Sequence, residues 1–461
     1  MKVKVSNLGA IGEGTIDLAK KINLFCGQNG TGKTYFSYVI YGLLRNKLHI
    51  KGDNIIADKL IDERSITIDI DFPMLLSYKK EMLKNTREEI DTIFGVGLDV
   101  VEKLFSQFVI EDIENGDDFK QRIISANIIN KSKVHGIGVA LSKKANETQI
   151  TLTITDESVP SDAIQGFRLF LNSFVYYTLA VYPISGVNVF PVERNSIYTF
   201  SKELSIRKQE AMDNLQLLVD KEKKINKFDI FFNSKRYPLP VKDGLMIAED
   251  LAEVKKARSD FYEFAEILET ELLHGKVQIS SDGEIQFRPN KSIRTLLPIQ
   301  MTASIIKTLS SLVVYLKHIA NYNDLIIIDE PEINLHPSNQ IIIARLLARL
   351  ANNGFRLLIS THSDYIVREF NNLVILSQQK YNESIYNTAK TYGYRDDEYI
   401  DRNDLGVYSF EHKSKRSKQV IVNEINVDDT GFEVKIMDDV IDQQNDISET
   451  LFYSLKYDTT K

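Results

Sequence analysis

The chain has 461 residues, of which 43% are apolar and 26% are charged, and its formal net charge is -7. This composition excludes a disordered protein, and the length allows one large core with insertions or two domains. Because the net charge is negative, no overall positive field indicates a nucleic-acid-binding protein, although the composition does not exclude a local basic patch. The single cysteine, Cys26, excludes an internal disulfide framework and a cysteine-based zinc site, which fits a reducing compartment.

The first residues, MKVKVSNLGA, contain no apolar signal segment, so we expect a cytoplasmic protein. One long stretch, between Arg168 and Glu193, has no charged residue and could span a bilayer by length alone. Polar residues and helix breakers interrupt it, which predicts a buried helix followed by a buried strand. We therefore expect no membrane helix.

The N-terminal elements predict one edge of a mixed sheet. Two short strands joined by glycine-rich turn residues precede a strand, KINLFC, that ends at Cys26, and a buried helix begins at Lys33. Residues 51–150 mix helical and strand patterns. Residues 201–273 have a helical and highly charged sequence pattern. The pattern is interrupted at YPLPVKDG, because its prolines cannot continue a helix. We interpret this range as a helical insertion.

The C-terminal half of the core follows the insertion. GKVQISSDGEIQFRP predicts a hairpin with a turn at Asp282-Gly283. A helix at about 301–319, the strand LIIID, a helix at 338–351 and the strand FRLLIST come next. Strands that alternate with helices in this way predict parallel strands with crossover helices.

A phosphate-binding loop, GQNGTGKT, fully matches GxxxxGK[ST] and lies between a predicted strand and a predicted helix. Glycines allow backbone N–H groups to surround phosphates, the lysine reaches the β and γ phosphates, and the last hydroxyl binds Mg²⁺. We therefore expect ATP and Mg²⁺ as ligands. The predicted nucleotide-binding residues are Gly27, Gln28, Asn29, Gly30, Thr31, Gly32, Lys33 and Thr34.

Two further motifs follow buried strands. In LIIIDEPE, Asp329 is expected to hold Mg²⁺ together with Thr34, and Glu330 to act as general base on the attacking water. His362 follows FRLLIST and is expected to contact the γ-phosphate and position the water. An acidic turn and a structural histidine are the alternatives.

These motifs, in this order, resemble the ABC-type ATPases of the SMC and OLD group, often called AAA family ATPases. The resemblance also rests on FPVERNSI, HGKVQISSDGEIQF, LPIQMTAS, INLHP and STHSDYIV, and it covers residues 1–60 and 185–375. It implies an α/β fold, namely a P-loop NTPase of ABC-ATPase head type with a mixed β-sheet lobe and a helical insertion.

The expected domain organisation follows from this resemblance and from the patterns along the chain. Residues 1–200 form an N-terminal ATPase lobe with the phosphate loop, and 201–273 form the helical insertion. Residues 274–375 form a C-terminal ATPase lobe with the signature, the acidic motif and the switch histidine. In residues 376–461, VNEINVDDTGFEVKIMDDV predicts a hairpin and an acidic tail.

The resemblance implies a homodimer, or a higher homo-oligomer, in which the signature of one subunit caps the γ-phosphate bound by the other. By alignment the signature is 301–304, with Ser304 acting in trans, although the glycine usual after this serine is missing and an ordinary helix start is the alternative. The turn at 336–338 lies near the dimer interface or only caps a helix. Glu193 and Arg194 either couple the insertion to the nucleotide or form a buried ion pair.

The leading hypothesis is an ATPase, converting ATP and water to ADP and phosphate, that controls a separate nuclease or toxin in bacterial antiviral defence. This follows from a resemblance to the ATPase subunits of the Septu and PARIS systems. The alternative is a DNA-repair or chromosome-associated ATPase of RecF or Rad50 type. The basic run 412–418 is a solvated turn or a phosphate contact. No nuclease pattern follows residue 370, so the effector is expected on another chain.

Overall fold

The structure is a computed structural model. It describes residues 1–45, 48, 54–199, 237–290, 296–378, 382–414 and 417–457. The first half of the predicted helical insertion, through residue 236, lies outside the described residues.

The described strands and helices alternate along the chain. The strands are β1 (Lys2–Leu8), β2 (Ile11–Asp17), β3 (Ile22–Gly27), β4 (Ser65–Asp69), β5 (Val109–Asp112), β6 (Ile128–Val134), β7 (Ile137–Lys143), β8 (Gln149–Ile154), β9 (Val187–Phe190), β10 (Gly275–Ile279), β11 (Ile285–Pro289), β12 (Leu297–Pro298), β13 (Leu325–Asp329), β14 (Arg356–Thr361), β15 (Leu405–His412) and β16 (Val420–Ile425). The α-helices are α1 (Lys33–Arg45), α2 (Ile55–Glu63), α3 (Phe72–Glu88), α4 (Ile90–Phe94), α5 (Leu98–Leu104), α6 (Gly116–Ser125), α7 (Ile164–Ala180), α8 (Leu239–Glu249), α9 (Leu251–Val254), α10 (Tyr262–Leu268), α11 (Ser304–His318), α12 (Pro337–Asn352), α13 (Asp364–Leu376), α14 (Glu383–Thr391) and α15 (Lys435–Tyr457).

The main sheet has nine strands in the order β5-β1-β2-β16-β15-β3-β14-β13-β9. The strands β3, β14, β13 and β9 pair in parallel, which confirms the predicted parallel core. Every residue of β3 and β13 is buried, as expected for parallel strands covered on both faces. Because the strands are parallel, their carboxyl ends meet at one edge, where Cys26 lies opposite Thr361 and Asp329 opposite Ser360.

Helices cover both faces of this sheet. Ile327 and Leu358 point into a core cluster that contains α1, while Ile326 and Leu357 point into a second cluster that contains α11, α12 and α13. Each such buried aliphatic side chain contributes about 1.5–3 kcal/mol relative to an exposed one. The fold is therefore the mixed α/β P-loop fold of ABC-ATPase heads, as predicted. The nine strands of this sheet come from three of the four predicted ranges, namely 1–200, 274–375 and 376–461.

The range 376–461 contains a hairpin, but it joins β15 to β16, so only the first residues of VNEINVDDTGFEVKIMDDV take part in it. Strand β16 pairs with the upstream strand β15, and the pair lies between β3 and β2 inside the main sheet. The first six residues of β15 are buried, as a central strand requires, and this long-range burial prevails over the local turn signal. A helix, α15, follows, and the described residues of the basic run 412–418 lie at the end of β15 and between β15 and β16.

Two smaller sheets complete the described part of the chain. One has the order β4-β8-β7-β6, and the other, β10-β11-β12, contains the predicted hairpin with Gly283 at φ +80° in its turn. Helix α7 occupies the uncharged stretch, as predicted. Among the described residues, no helix has both the length and the apolar character needed to cross a bilayer.

The described part of the predicted insertion, 237–273, is helical, as predicted. Its helices α8, α9 and α10 are followed by a π-helix, Glu269–Leu273. Asp243 of α8 accepts hydrogen bonds from the Tyr41 hydroxyl (2.6 Å) and from Arg45 Nε (2.9 Å), which fastens α8 to the helix after the phosphate loop.

The predicted helix start at residue 301 is three residues early. Residues Ile299–Met301 form a 3-10 turn, and Ala303 is the extended N-cap residue of α11, with φ -65° and ψ 156°. The helix therefore begins at Ser304.

Candidate functional site

The phosphate loop connects the end of β3 to the start of α1 and is shaped by close backbone approaches. A Cβ atom at Gly27 would lie 2.6 Å from the carbonyl oxygen of Phe410 in β15. Gly32 has φ +93°, and a Cβ there would lie 2.9 Å from the Ile11 side chain. Only glycine tolerates these positions without a shift of the neighbouring strands. The C-terminal strand pair thus forms one wall of the loop.

Lys33 is only 6% exposed and lies over the loop. Its Nζ donates to the carbonyl oxygens of Gly27 (2.8 Å) and Gln28 (2.9 Å), and the Thr31 hydroxyl also donates to the Gln28 carbonyl at 2.8 Å. Burial lowers the pKa of Lys33, while the nearby carboxylates, Asp329 first among them, oppose this effect. The ammonium group is therefore positioned at the N-terminus of α1, where anions are favoured.

Asp329 ends β13 and is 1% exposed. The Thr34 hydroxyl donates to its Oδ2 at 2.8 Å, and the Ser360 hydroxyl donates to its Oδ1. Burial raises the pKa of Asp329, and the two hydroxyl donors together with Arg194 and Lys33 act in the opposite direction. The two residues predicted to hold Mg²⁺ are thus in direct contact, although 295 positions separate them in the chain.

Glu330 adopts a left-handed backbone conformation, with φ +47°, directly after the buried strand. Its N–H donates to the Ser360 carbonyl at 2.9 Å, and its side chain remains 25% exposed. Burial is the largest influence on the pKa of Glu330 and raises it, with Asp329 and Glu332 acting in the same direction. A carboxylate with a raised pKa at the open edge of the site is suited to accept a proton from water.

His362 follows β14, and its Nδ1 lies 3.6 Å from Glu330 Oε1 and 3.4 Å from Glu332 Oε1. Glu332 is 6% exposed, and its Oε1 accepts hydrogen bonds from the Thr361 hydroxyl (2.8 Å) and from the His362 N–H (2.9 Å). The carboxylate of Glu332 therefore holds the start of the switch segment against the acidic motif.

Three residues of this arrangement were not assigned a role from sequence: Glu332, Ser360 and Thr361. Their positions within DEPE and STHS, beside predicted site residues, were the available signal. From sequence, Arg194 was expected either to couple the insertion to the nucleotide or to form a buried ion pair with Glu193. The structure instead has its guanidinium donating to the backbone carbonyls of Pro191 (3.1 Å), Asp329 (2.7 Å) and Glu330 (2.8 Å).

Three other residues considered from the sequence, Ser304, His336 and Cys26, take no part in the side-chain hydrogen bonds described above. Ser304 is the exposed first residue of α11, and in the described part of the chain no hydrogen bond joins it to the phosphate loop. The His336 side chain caps α12 by accepting from the Ser338 N–H at 3.3 Å, so the capping alternative is present. Cys26 is fully buried, and burial raises the pKa of its thiol.

The donor atoms at Thr34 and Asp329 suit Mg²⁺, a hard cation that prefers oxygen ligands and usually completes its shell with water and substrate phosphates. Within the described ranges, no group of three or more His, Cys, Asp and Glu side chains could hold a metal ion. Two oxygen donors from the protein fit a cation that takes its remaining ligands from water and nucleotide phosphates.

Fold and site together define a P-loop ATPase domain. The family model described as AAA ATPase domain (AAA_15) matches residues 1–367. The chain belongs to this family. No curated protein matches the chain at the level of sequence.

Solved structures of SMC heads are similar to this chain at low identity. An SMC head bound to the C-winged helix domain of ScpA has 9% identity and a TM-score of 0.35, with 93% of this chain and 97% of that chain covered. An SMC head with an extended coiled coil, bound to the C-terminal domain of ScpA from Pyrococcus furiosus, has 10% identity, a TM-score of 0.34, and coverage of 97% and 98%. The SMC head domain from Thermotoga maritima has 11% identity, a TM-score of 0.32, and coverage of 92% and 98%. No functional conclusion rests on likenesses this distant.

Proposed function

We propose that this chain binds ATP with Mg²⁺ and hydrolyses it to ADP and phosphate. The observation that carries the proposal is the contact between Thr34 and Asp329 at the end of the phosphate loop, with Lys33 and Glu330 beside it. A cationic loop, a hydroxyl–carboxylate pair and a carboxylate with a raised pKa are the three components that phosphoryl transfer to water requires.

In this mechanism Lys33 exchanges its contacts with the loop carbonyls for contacts with the β and γ phosphates. Thr34 and Asp329 would hold Mg²⁺, which would neutralise charge on the phosphates. Glu330 accepts a proton from the attacking water as the water oxygen bonds to the γ-phosphorus, and the bond between that phosphorus and the bridging oxygen breaks to release ADP. His362 donates a hydrogen bond to the γ-phosphate and keeps the water in line.

Replacement of Glu330 tests the proposal. Glu330→Gln keeps the size of the side chain but removes the base, so we expect the hydrolysis rate to fall by at least about 100-fold while ATP binding persists. Phosphate release and the affinity for a fluorescent ATP analogue measure the two effects separately. Glu253→Gln, at an exposed position on α9, is the matched control and keeps the wild-type rate. Rapid turnover by Glu330→Gln would refute the mechanism.

We further propose that two copies form an ATP-dependent dimer in which Ser304 of one copy contacts the nucleotide of the other. The exposed position of Ser304 at the N-terminus of the 15-residue helix α11 supports this role, because the N–H groups and dipole of a helix start favour phosphate. Light scattering of Glu330→Gln with and without ATP tests it. A mass that does not change with ATP would contradict the dimer.

The partner that we propose for this ATPase is a separate protein effector in antiviral defence. The surface of α15 supports a protein partner over DNA, because Ile447, Leu451 and Leu455 are exposed there beside the exposed acidic residues Asp442 and Asp446. Exposed apolar side chains suit a protein contact, and acidic ones repel phosphate. Co-purification with the product of a neighbouring gene tests this idea. Salt-dependent binding to duplex DNA would favour the repair alternative instead.

A further inference from the structure

Arg194 is a fully buried cation that the mechanism above does not use. It is 2% exposed and follows the end of β9, next to the strand that carries the acidic motif. Burial lowers the pKa of Arg194 to about 10, with Asp329 the first of the carboxylates that oppose this effect, so the guanidinium keeps its charge at neutral pH. A buried charge needs compensating hydrogen bonds.

The bonds that compensate Arg194 converge on the backbone of the acidic motif. Nη1 donates to the carbonyl oxygens of Pro191 and Asp329, and Nη2 donates to the carbonyl oxygen of Glu330. The two nitrogens of one rigid guanidinium thus contact consecutive peptide groups on both sides of the Glu330 α-carbon. Arginine presents its donors in a fixed planar fork, which lysine cannot reproduce.

The backbone held in this way is an unfavourable one. Glu330 has φ +47°, a region in which residues other than glycine are disfavoured because Cβ approaches the carbonyl group. On the other side its N–H donates to Ser360 in β14 at 2.9 Å. A left-handed residue persists only where its surroundings fix it on all sides, and here Arg194 supplies the contacts that β14 does not.

We infer that Arg194 is a positioning residue for hydrolysis, because it holds the Glu330 carboxylate in line with the attacking water by fixing the backbone on either side of it. The inference rests on the proposed role of Glu330 as general base. The hydrogen bonds of Arg194 end on backbone carbonyls, and none of them reaches the phosphate loop, so we expect its loss to affect the chemical step far more than nucleotide binding. Arg194 contributes orientation, and a misplacement of about 1 Å in such a group can cost about 100-fold in rate.

The test replaces Arg194 by Met, which keeps the length of the side chain but removes all donors, and by Lys, which keeps the charge. We expect Arg194→Met to lower the single-turnover rate by about 100-fold with less than about a threefold change in ATP affinity. Arg194→Lys recovers part of the rate, since one ammonium can reach one of the carbonyls. A merely structural residue would change affinity and rate together, so an equal loss in both would overturn the inference.

Arg356 offers a matched control at the opposite end of β14. It is a half-buried arginine, and its Nη1 also donates to two backbone carbonyls, those of Ala19 (2.8 Å) and Lys20 (3.1 Å). Burial lowers the pKa of Arg356 as it does that of Arg194. We expect Arg356→Met to lower the urea midpoint but to leave the single-turnover rate of the folded protein within about threefold of the wild type. A comparable loss of rate would mean that any buried arginine has the same effect.

A double-mutant cycle separates this inference from the proposed function. If Arg194 acts through Glu330, then Arg194→Met has no further effect on the residual rate of Glu330→Gln. If Glu330→Gln is inactive and Arg194→Met keeps the wild-type rate, the inference fails and the proposed function stands. If Glu330→Gln itself keeps turnover, the proposed function fails. Should Arg194→Met not fold, Arg194→Lys decides, because a wild-type rate in that variant would refute the need for the planar fork.

Discussion

Removal of the Asp243 carboxylate tests how the second half of the predicted insertion is fastened to the helix after the phosphate loop. Asp243 accepts from Tyr41, which is 3% exposed, and from Arg45, whose side chain is 49% exposed. A buried hydroxyl left without a partner costs about 1–3 kcal/mol, whereas a half-exposed ion pair is worth about 0–1 kcal/mol. The bond to Tyr41 should therefore dominate.

We expect Asp243→Ala to lower the free energy of unfolding by about 2–3 kcal/mol and Arg45→Met to lower it by less than about 1 kcal/mol. The double variant Tyr41→Phe/Asp243→Ala should lose about 1–2 kcal/mol less stability than the two single variants lose together, because the buried Tyr41 hydroxyl is no longer left without an acceptor. Urea unfolding followed by circular dichroism measures this, since the chain has no tryptophan. Asp243→Asn, which keeps an acceptor, is the control. An equal loss in Arg45→Met and Asp243→Ala would refute the ranking.

Three further predictions concern the site itself. Lys33→Ala should abolish ATP binding, which calorimetry measures, and wild-type affinity would contradict the assigned loop. Burial raises the pKa of Glu330, so this carboxylate should become protonated at a higher pH than an ordinary glutamate. As the pH decreases, the hydrolysis rate should therefore start to fall at that higher pH. A pH profile without this acidic limb would exclude Glu330 as the base. Lys33→Ala and Ser304→Arg should each be inactive alone but partly active when mixed, since a mixed dimer rebuilds one intact site. No recovery in mixed dimers verified by native mass spectrometry would contradict the shared site.

Much of the site could be predicted from sequence because its signals are local. GQNGTGKT between a strand and a helix, and LIIIDEPE after a run of buried residues, need only a few neighbouring positions to be recognised. The parallel core was predicted for the same reason, since strand and helix patterns alternate along 301–361. The contact of Ser304 with the nucleotide of a second copy stays a prediction, because one chain cannot complete that site.

The role of Arg194 could not be derived from sequence, because an arginine donating to backbone carbonyls leaves no signal at the positions of its partners. Glu193 was the obvious neighbour for an ion pair, yet the guanidinium reaches residues 135 and 136 positions away. The role of Glu332 could not be derived from sequence for the same reason, since the hydroxyl and the N–H from which it accepts hydrogen bonds lie about 30 residues further along the chain.

The sequence by itself determined the class of fold, the phosphate loop and the acidic motif, since glycine spacing and runs of buried residues are local properties. The tertiary structure alone decided that β15 and β16 enter the main sheet between β3 and β2, and that Phe410 closes one side of the phosphate loop. The physical reason is that strand pairing depends on burial of both faces against elements hundreds of residues away. A local turn signal such as that near Gly431 contains no information about the partner strand.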